Sequence, residues 1–294
     1  MSVVFISIVL QSLPFVLVGV IASAVVQQHL RGEVVARWMP RRRLPAVLVG
    51  TLFGLVAPVC DCGAIPLGRR LMAKGVPTYA AVSFLVAAPV VNPITVAATF
   101  AAFQGNLGVV ALRLGMTASI AVCIGLLTAR LFGASRVDLR TLADADAKSQ
   151  QRRAVGVGAR LDALIGHATA EYADVLFFVV LGALFTAATQ TLVPRADLAA
   201  LGGQRAGSVL ALMPVASLLS ICSEADAFVA RAFATTFSPG AVLAFMTIGQ
   251  IVDLRNGMLL WRALGGKLML LIAVASYPLV FAEGLLVNRI LASP

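Results

Sequence analysis

Two cysteines separated by one residue offer the most distinctive chemistry in this sequence. Cys60 and Cys62 flank Asp61 inside the apolar stretch 57–66. In an extended segment this spacing puts both sulfur atoms on one side of the chain, close enough to share one soft ion. Thiolates are the ligands that soft, thiophilic centres prefer. The pair therefore predicts a soft-ion site, with two small buried hydrophobic side chains as the alternative.

Prolines interrupt the apolar sequence at the cysteine pair and again in the stretch 88–93. Pro58 stands in the first interruption, and Pro89 and Asn92 stand in the second. A proline removes a backbone donor and clashes with the preceding turn, so we expect a helix to break or kink at each place. Lipid tolerates a broken helix only where it lines a cavity or is buried in protein. We therefore expect a transport site at the membrane midplane, where Asn92 lines the cavity, caps the second half-helix, or does both.

Carboxylates accompany the interruptions in both halves of the chain. Asp61 lies between the two cysteines, Glu224 and Asp226 follow a third cysteine, and Asp253 closes a later apolar run. An ionisable side chain inside a membrane is costly and is by default a functional candidate. Burial raises the pKa of a carboxyl group, so we expect one of these groups to couple a proton to transport. The alternative places the last three at the lipid headgroups as solvated residues.

The composition is that of a membrane protein. The chain has 294 residues, of which 60% are hydrophobic and 12% are charged, and its mean hydropathy is +0.96. A soluble domain carries roughly twice that charged fraction, and several apolar runs reach the ~20 residues that cross a hydrocarbon core. The formal net charge of +10 fits basic cytoplasmic loops better than nucleic-acid binding. We therefore predict an all-α, polytopic membrane protein whose partner is the lipid bilayer and not nucleic acid.

Apolar runs and polar stretches divide the chain into two repeats. The predicted spans are 3–26, 78–103, 107–132, 170–193, 241–252 and 265–287. Two shorter apolar runs lead into the cysteine stretches and predict re-entrant hairpins at 45–74 and 209–237. The polar stretch 133–168 mixes both signs of charge, which is typical of a connector. We predict a first transmembrane repeat over 1–132, a cytoplasmic connector over 133–168 and a second transmembrane repeat over 169–294.

The two repeats match each other in sequence. The stretch 83–92 aligns without gaps against 244–253, and Cys222 falls within one residue of the position of Cys62. Interrupted apolar segments at corresponding positions of two halves point to the binding site of a transporter built from an inverted repeat.

Basic residues set the predicted orientation. We expect six crossings plus two opposed hairpins, with the N-terminus outside. Four polar stretches then lie in the cytoplasm, at 27–43, 67–77, 130–168 and 254–267. They contain every basic residue except Arg113, Arg195, Arg205, Arg231 and Arg289. This arrangement follows the positive-inside rule. Eight simple crossings, the alternative, would put the two long basic loops at 27–43 and 133–167 on opposite faces.

The motifs at the interruptions resemble those of the bacterial ArsP-type permeases. The residues that carry the resemblance are Cys60-Asp61-Cys62-Gly63 with Pro66, Gly75-Val76-Pro77, the stretch 84–93, Cys222-Ser223-Glu224-Ala225-Asp226 and the stretch 249–253. The resemblance covers nearly the whole chain, including both repeats. It implies a permease of the bacterial inner membrane, in a family whose characterised members export trivalent organoarsenicals. The sequence departs from the family at Asp61, where a small hydroxyl residue is usual, and at Gln250, where a proline often follows the glycine.

The resemblance implies that a small thiophilic solute such as methylarsenite leaves the cell by alternating access. A methylated trivalent arsenic takes at most two thiolates, which fits Cys60 and Cys62 as metalloid ligands. Cys222 is then a third ligand or a transient acceptor, unless it only packs in the core. The side chains expected around the substrate are Cys60, Asp61, Cys62, Pro89, Asn92, Cys222, Glu224, Asp226, Gln250 and Asp253.

Two rival functions stay open at this point. One is a permease of the same architecture for another soft metal or an organic solute. The other is a transmembrane thiol–disulfide electron carrier, which the lack of a C-x-x-C motif disfavours.

The remaining residues argue against an enzyme. No phosphate-binding G-x-x-x-x-G-K-[ST] loop is present, and His29 and His167 are too far apart in sequence to predict a zinc site. We therefore expect a transporter without a cofactor. Arg113 is expected to extend to the outer surface along its span, and Cys123 is expected to have a structural role only.

Overall fold

The computed structural model of the protein describes residues 39–40, 42–56, 59, 61–133 and 205–291, with isolated helical positions between 6 and 17 and between 166 and 184. The side chains of Val56, Asp61, Cys62 and Arg205 lie outside this description. Every regular element within the described residues is an α-helix, which agrees with the predicted class.

Some predicted elements fall outside the described residues. They are the spans 3–26 and 170–193, apart from the isolated helical positions, and the connector 133–168 apart from its first residue and one such position.

Five helices form the first half of the described chain. They are α1 (Arg43–Val56), α2 (Asp61–Ala73), α3 (Thr78–Val91), α4 (Pro93–Ala102) and α5 (Leu107–Leu131). Gly75 turns the chain after α2 with a φ of 98°, a conformation that is strained for any residue with a Cβ atom. The side chain of Asn106 caps α5 by accepting hydrogen bonds from the N–H groups of Gly108 and Val109.

The second half of the described chain repeats this order of helices. They are α6 (Arg205–Leu219), α7 (Asp226–Phe233), α8 (Pro239–Ile251), α9 (Leu254–Leu264) and α10 (Gly266–Ile290). In each half, two helices joined by a short turn precede a helix with one break, and a helix of 25 residues follows. The break separates α3 from α4 in the first half and α8 from α9 in the second.

The helices of each half pack in the same arrangement. Helix α1 packs on α3 and α3 on α5, while α6 packs on α8 and α8 on α10. The halves meet where α5 contacts α8 and α10, where α2 contacts α9 and where α4 contacts α7. Small residues bring α1 close to α3, since a Cβ atom added at Gly54 would lie 2.9 Å from the Cα atom of Ala88. Small residues of this kind are typical of helix contacts inside membranes.

Three helical stretches of the described chain are long and apolar enough to cross a membrane. They are Thr78–Ala102, which joins α3 and α4 across their break, Leu107–Leu131 and Gly266–Ile290. Helix α1 also carries an exposed apolar stripe, formed by Leu44, Leu48, Leu52 and Leu55. Leucines at this spacing form one face of a helix, and an apolar face exposed outside the protein core fits contact with lipid.

The first break falls inside the predicted stretch 88–93: helix α3 continues through Pro89 to Val91, and the break lies at Asn92. The structure differs from the sequence prediction at the second broken helix. After the second break, residues that the sequence assigned to a polar loop form α9, which packs against α2 and α10. Arg255 and Asn256 are polar and were expected to be exposed to solvent, yet only 2% and 4% of their surfaces are exposed. Their polar groups are buried against protein, which composition alone does not distinguish from a loop.

Candidate functional site

Side chains close the first break, between α3 and α4. Pro93 has no N–H group, so the carbonyl of Pro89 lacks its helical donor. The hydroxyl of Thr95 donates to that carbonyl at 2.9 Å, and the amide of Asn92 donates to it at 3.3 Å. The side chain of Asn92 also caps α4, because it accepts a hydrogen bond from the N–H of Thr95 at 2.9 Å. The predicted capping role of Asn92 is therefore confirmed.

Side chains also close the second break, between α8 and α9. Asp253 caps α9 by accepting a hydrogen bond from the N–H of Asn256. The side-chain amide of Asn256 donates to the carbonyl of Gln250 at 3.1 Å. In a continuous helix that carbonyl would accept from the N–H of Leu254, which here donates to the hydroxyl of Ser220 at 3.2 Å.

The local hydrogen bonds at the two breaks correspond position by position. In each, a capping side chain (Asn92 or Asp253) accepts from the N–H group three residues later. The side chain at that later position (Thr95 or Asn256) donates to the carbonyl three residues before the cap. The alignment of stretch 83–92 with stretch 244–253 pairs the same two capping residues, Asn92 and Asp253. The correspondence between the halves thus includes the geometry of their breaks.

Each break holds the turn between the two preceding helices of its own half. The amide of Asn92 donates to the carbonyl of Val59, between α1 and α2, at 3.4 Å. The amide of Gln250 donates to the carbonyl of Ile221, between α6 and α7, at 3.3 Å. In both turns the residue after this carbonyl is a cysteine. The two interruptions that the sequence singles out in each half are therefore in contact.

The turn between α6 and α7 carries Cys222. Its carbonyl accepts hydrogen bonds from the N–H groups of Ala225 and Asp226 at 3.0 and 2.9 Å, which closes the turn. Its thiol is half-buried, is not in a disulfide and donates to the carboxylate of Glu224 at 2.6 Å. A thiol binds a soft ion as the thiolate.

A buried arginine from the first half reaches the same turn. Arg113 of α5 is 1% exposed, and its guanidinium donates to the carboxylate of Asp226 at 2.7 Å. It also donates to the hydroxyl of Thr99 on α4 at 2.7 Å and to the carbonyl of Ser223 at 3.5 Å. The prediction that Arg113 extends to the outer surface is wrong. The carboxylate of Asp226 stabilises its charge inside the protein instead.

Gln250 completes a polar cluster around Asp226. Its amide donates at 2.7 Å to Asp226 Oδ2, the oxygen that Arg113 also contacts. Within the described residues, four buried oxygen atoms of this cluster have no hydrogen-bond partner: Ser223 Oγ, Glu224 Oε1, Asp226 Oδ1 and Gln250 Oε1. A buried acceptor without a donor is costly. The cluster is therefore suited to a solute or water molecule that donates hydrogen bonds or carries positive charge.

Two of the three carboxylates predicted in the second half are not solvated. Asp226 and Asp253 are 2% and 3% exposed, and Glu224 is half-buried. Asp253 lies 3.8 Å from the guanidinium of Arg255, which is also buried. The alternative that placed these carboxylates at the headgroups as solvated residues is wrong for Asp226 and Asp253.

Part of the predicted site lies outside the described residues. Cys60 and the side chains of Asp61 and Cys62 belong to that part. Cys123 is exposed on α5. In the described ranges, no group of three or more His, Cys, Asp or Glu side chains is placed to hold a metal ion.

Sequence reasoning missed polar contacts between helices. Among them are the bonds from Arg113 to Thr99 and Asp226, for which the signal was a basic residue inside an apolar span. Another joins the two long helices: Ser119 of α5 donates to the carboxylate of Glu283 of α10 at 2.6 Å. A glutamate inside an apolar run is the same kind of signal.

An apolar cavity of about 170 Å³ lies apart from the polar cluster, between the two halves. Residues that line it include Phe103, Val109, Leu112, Ala234, Val242 and Leu243. The guanidinium of Arg231, which also lines the cavity, lies 6.0 Å from the ring centre of Phe103. None of the predicted site residues contributes to its lining.

Comparison with known proteins extends the similarity over the whole chain. Residues 1–289 match the ArsP_1 family, described as a predicted permease. The chain is 36% identical over 286 residues to the UPF0718 protein YcgR of Bacillus subtilis (strain 168), an alignment that covers 97% of this chain and 96% of that protein.

Two further relatives are similar to the chain, one over most of its length. A protein of Streptococcus mutans, named a putative two-component membrane permease complex subunit, is 32% identical over 91% of this chain and 88% of its own length. The UPF0718 protein YraQ of Escherichia coli (strain K12) is 31% identical over 96 residues, or 33% of this chain and 27% of its own. No solved structure matches the chain. The family match and the two long alignments establish that this chain belongs to the ArsP_1 family of predicted permeases.

Proposed function

We propose that this membrane permease exports a small thiophilic solute by alternating access, and that the solute is a trivalent organoarsenical such as methylarsenite. The observation that carries the proposal is the contact between each helix break and a cysteine-bearing turn. Asn92 holds the residue before Cys60, and Gln250 holds the residue before Cys222. Broken helices at corresponding positions of two halves are where secondary transporters bind their substrates.

The thiols supply the chemistry of recognition. Cys60 and Cys62 are the proposed ligands of arsenic. Because methylarsenite exchanges only two hydroxyl groups, Cys222 is proposed as a transient acceptor that takes the place of one of these thiols, and a third simultaneous sulfur ligand would require an arsenical without the methyl group. Methylarsenite carries two hydroxyl groups on arsenic. Each thiol that binds replaces one hydroxyl, which leaves as water together with the thiol proton, so arsenic is neither oxidised nor reduced. Soft sulfur ligands favour this exchange over binding through oxygen.

Other residues around the breaks complete the proposed site. They are Asp61, Pro89, Asn92, Glu224, Asp226, Gln250 and Asp253. Several oxygen atoms of the described members are buried without a hydrogen-bond donor, which suits a solute with hydroxyl groups. We also propose that one of the carboxylates exchanges a proton for the solute. A protonophore is then expected to abolish export, and undiminished export would discard the coupling.

The proposed architecture is an inverted repeat in the bacterial inner membrane. Residues 1–132 and 169–294 are the opposed repeats, with six crossings and two hairpins, and 133–168 is a cytoplasmic connector. The recurrence of helix order and of the hydrogen bonds at both breaks supports the repeat. The positive-inside rule supports the orientation. A reporter fused at residue 150 is expected to be active in the cytoplasm, and activity outside the cell would reverse the arrangement.

Arsenic accumulation in cells tests the proposed function. Cells that carry the intact protein, the Cys60→Ser plus Cys62→Ser variant or an empty vector are exposed separately to methylarsenite and to inorganic arsenite. We expect less arsenic with the intact protein in methylarsenite, and a return to the vector level in the double variant at equal expression. If neither arsenical distinguishes the intact protein from the vector, the substrate assignment fails. If the double variant exports as well as the intact protein, the thiol ligands fail.

A further inference from the structure

Arg113 and Asp226 form a buried ion pair between the two halves of the protein. Arg113 belongs to α5 in the first half, and Asp226 begins α7 in the second half, 113 residues later. The side chains are 1% and 2% exposed, and the atoms in contact are 2.7 Å apart. Charges this deeply buried are tolerated only when they are paired and hydrogen-bonded.

The ion pair fixes the position of the turn that carries Cys222. Arg113 contacts that turn at two points, the carboxylate of Asp226 and the carbonyl of Ser223. The turn is itself closed by hydrogen bonds to the carbonyl of Cys222, so it moves as a unit. A displacement of α5 from α7 would therefore release the turn as a whole from the first half.

Each member of the pair has a second partner in its own half. Thr99 of α4 accepts a hydrogen bond from Arg113, and Gln250 of α8 donates to the same Asp226 oxygen that Arg113 contacts. If the halves separate at this point, neither charge is left without a hydrogen bond. Any buried ion pair needs additional hydrogen bonds. Here the additional partners, Thr99 and Gln250, lie each in the same half as the charge that they contact, so both the closed and an open state of the contact leave each charge hydrogen-bonded.

We propose that the Arg113–Asp226 ion pair is a gate contact, closed in the state described here, and that it opens during transport to expose Cys222. Arg113 is thus a positioning residue for the Cys222 turn. The inference rests on the proposed alternating access. It does not depend on which solute is carried.

The accessibility of Cys222 tests the gate contact without any substrate. The full chain, with Cys60, Cys62 and Cys123 replaced by Ser, keeps Cys222 as its single cysteine. Right-side-out and inside-out membrane vesicles are treated with a membrane-impermeant maleimide, and the rate of labelling is compared between this protein and its Asp226→Asn derivative. Asparagine keeps the shape and the hydrogen-bonding capacity of aspartate but removes the charge that holds Arg113.

Asn288→Ala is the matched control in the same background. Asn288 of α10 is also buried, and its side chain accepts from the N–H of Gly240 and donates to Ser238, so these contacts stay within the second half. Its loss is expected to lower thermal stability without separating the halves. Because Asp226→Asn acts on the contact between the halves, only it should change access to Cys222.

We expect Asp226→Asn to accelerate labelling by about tenfold or more from one face of the membrane, because a buried pair that loses a charge shifts a two-state equilibrium strongly. Asn288→Ala should leave the labelling rate within about twofold of the parent rate, since mutations at sites that are not coupled change each other's effects by no more than about this factor. Equal rates in Asp226→Asn and the parent, or equal acceleration in both variants, would overturn the gate contact. If Asp226→Asn does not fold, Arg113→Lys keeps the charge and loses the two-point contact. It must then accelerate labelling from that one face, or the proposal fails.

The outcome separates this inference from the proposed substrate. Faster labelling together with a failure to export methylarsenite would keep the gate contact and discard the arsenical. Export of methylarsenite together with an unchanged labelling rate in Asp226→Asn would keep the arsenical and discard the gate contact.

Discussion

At the scale of single residues, side chains replace the helical hydrogen bonds that the breaks remove. Asn92 is the clearest case, because it caps α4 and also donates to the carbonyls of Ala88, Pro89 and Val59. Those carbonyls are buried where no lipid group could satisfy them. At this break one residue both accepts and donates, whereas Asp253 and Asn256 divide the two roles at the second break.

This predicts that Asn92→Ala costs more stability than the loss of an ordinary cap. Replacement of an N-cap costs about 1 kcal/mol, and unsatisfied buried carbonyls add roughly 1–3 kcal/mol. Asn106→Ala is the matched control, because Asn106 caps α5 from an exposed position. Thermal unfolding of both variants in detergent should show the larger loss for Asn92→Ala. Equal losses would mean that Asn92 acts only as a cap.

The capping residue could be predicted from sequence and the buried arginine could not. Asn92 stands directly before Pro93 and a new apolar run, which is a local pattern. The partner of Arg113 lies 113 residues away, and no local pattern records that distance. The sequence showed a basic residue inside a span and an acidic residue at an interruption. It did not show that these two side chains are in contact.

At the scale of elements, close helix contacts depend on glycines that alternate with larger side chains. Gly50 and Gly54 bring α1 against Ala80 and Ala88 of α3, and the hydroxyl groups of Thr51 and Ser83 lie 2.6 Å apart in the same contact. These contacts fix the position of α1 against α3.

We predict that Gly50→Ala destabilises the protein. The added Cβ atom would clash with the carbonyl oxygen of Ala80, which belongs to the backbone and cannot rotate away, so the helices must separate at a cost of about 1–3 kcal/mol. Gly115→Ala on α5 is the control, since no described atom lies within 4 Å of its added Cβ. Thermal unfolding should show a lower midpoint for Gly50→Ala only. An equal or higher midpoint for that variant would show that α1 and α3 are less closely packed.

Helix α9 shows where element prediction failed. Its polar residues resembled a loop, because the apolar run ends at the second break. Tertiary packing decides the outcome: Leu259, Leu260 and Ala263 are buried as α9 packs against α2 and α10. By contrast, the ends of α5 and α10 were predicted to within three residues, because length and hydropathy alone identify a span.

At the scale of the whole molecule, each half satisfies its own helix break. The hydrogen bonds that hold the breaks lie within one half. The ion pair between Arg113 and Asp226 crosses between halves, as does the bond between Ser119 and Glu283. Halves that are internally complete can move as units, which is the property that alternating access requires.

The central claim of this account is that a trivalent arsenical binds to thiols at the helix breaks. X-ray absorption at the arsenic edge of the purified protein with methylarsenite measures this directly. We predict sulfur neighbours around arsenic in the intact protein and in Cys123→Ser, whose cysteine is exposed on α5. The sulfur signal should fall in Cys60→Ser plus Cys62→Ser. Arsenic with oxygen and carbon neighbours only in the intact protein would contradict the account.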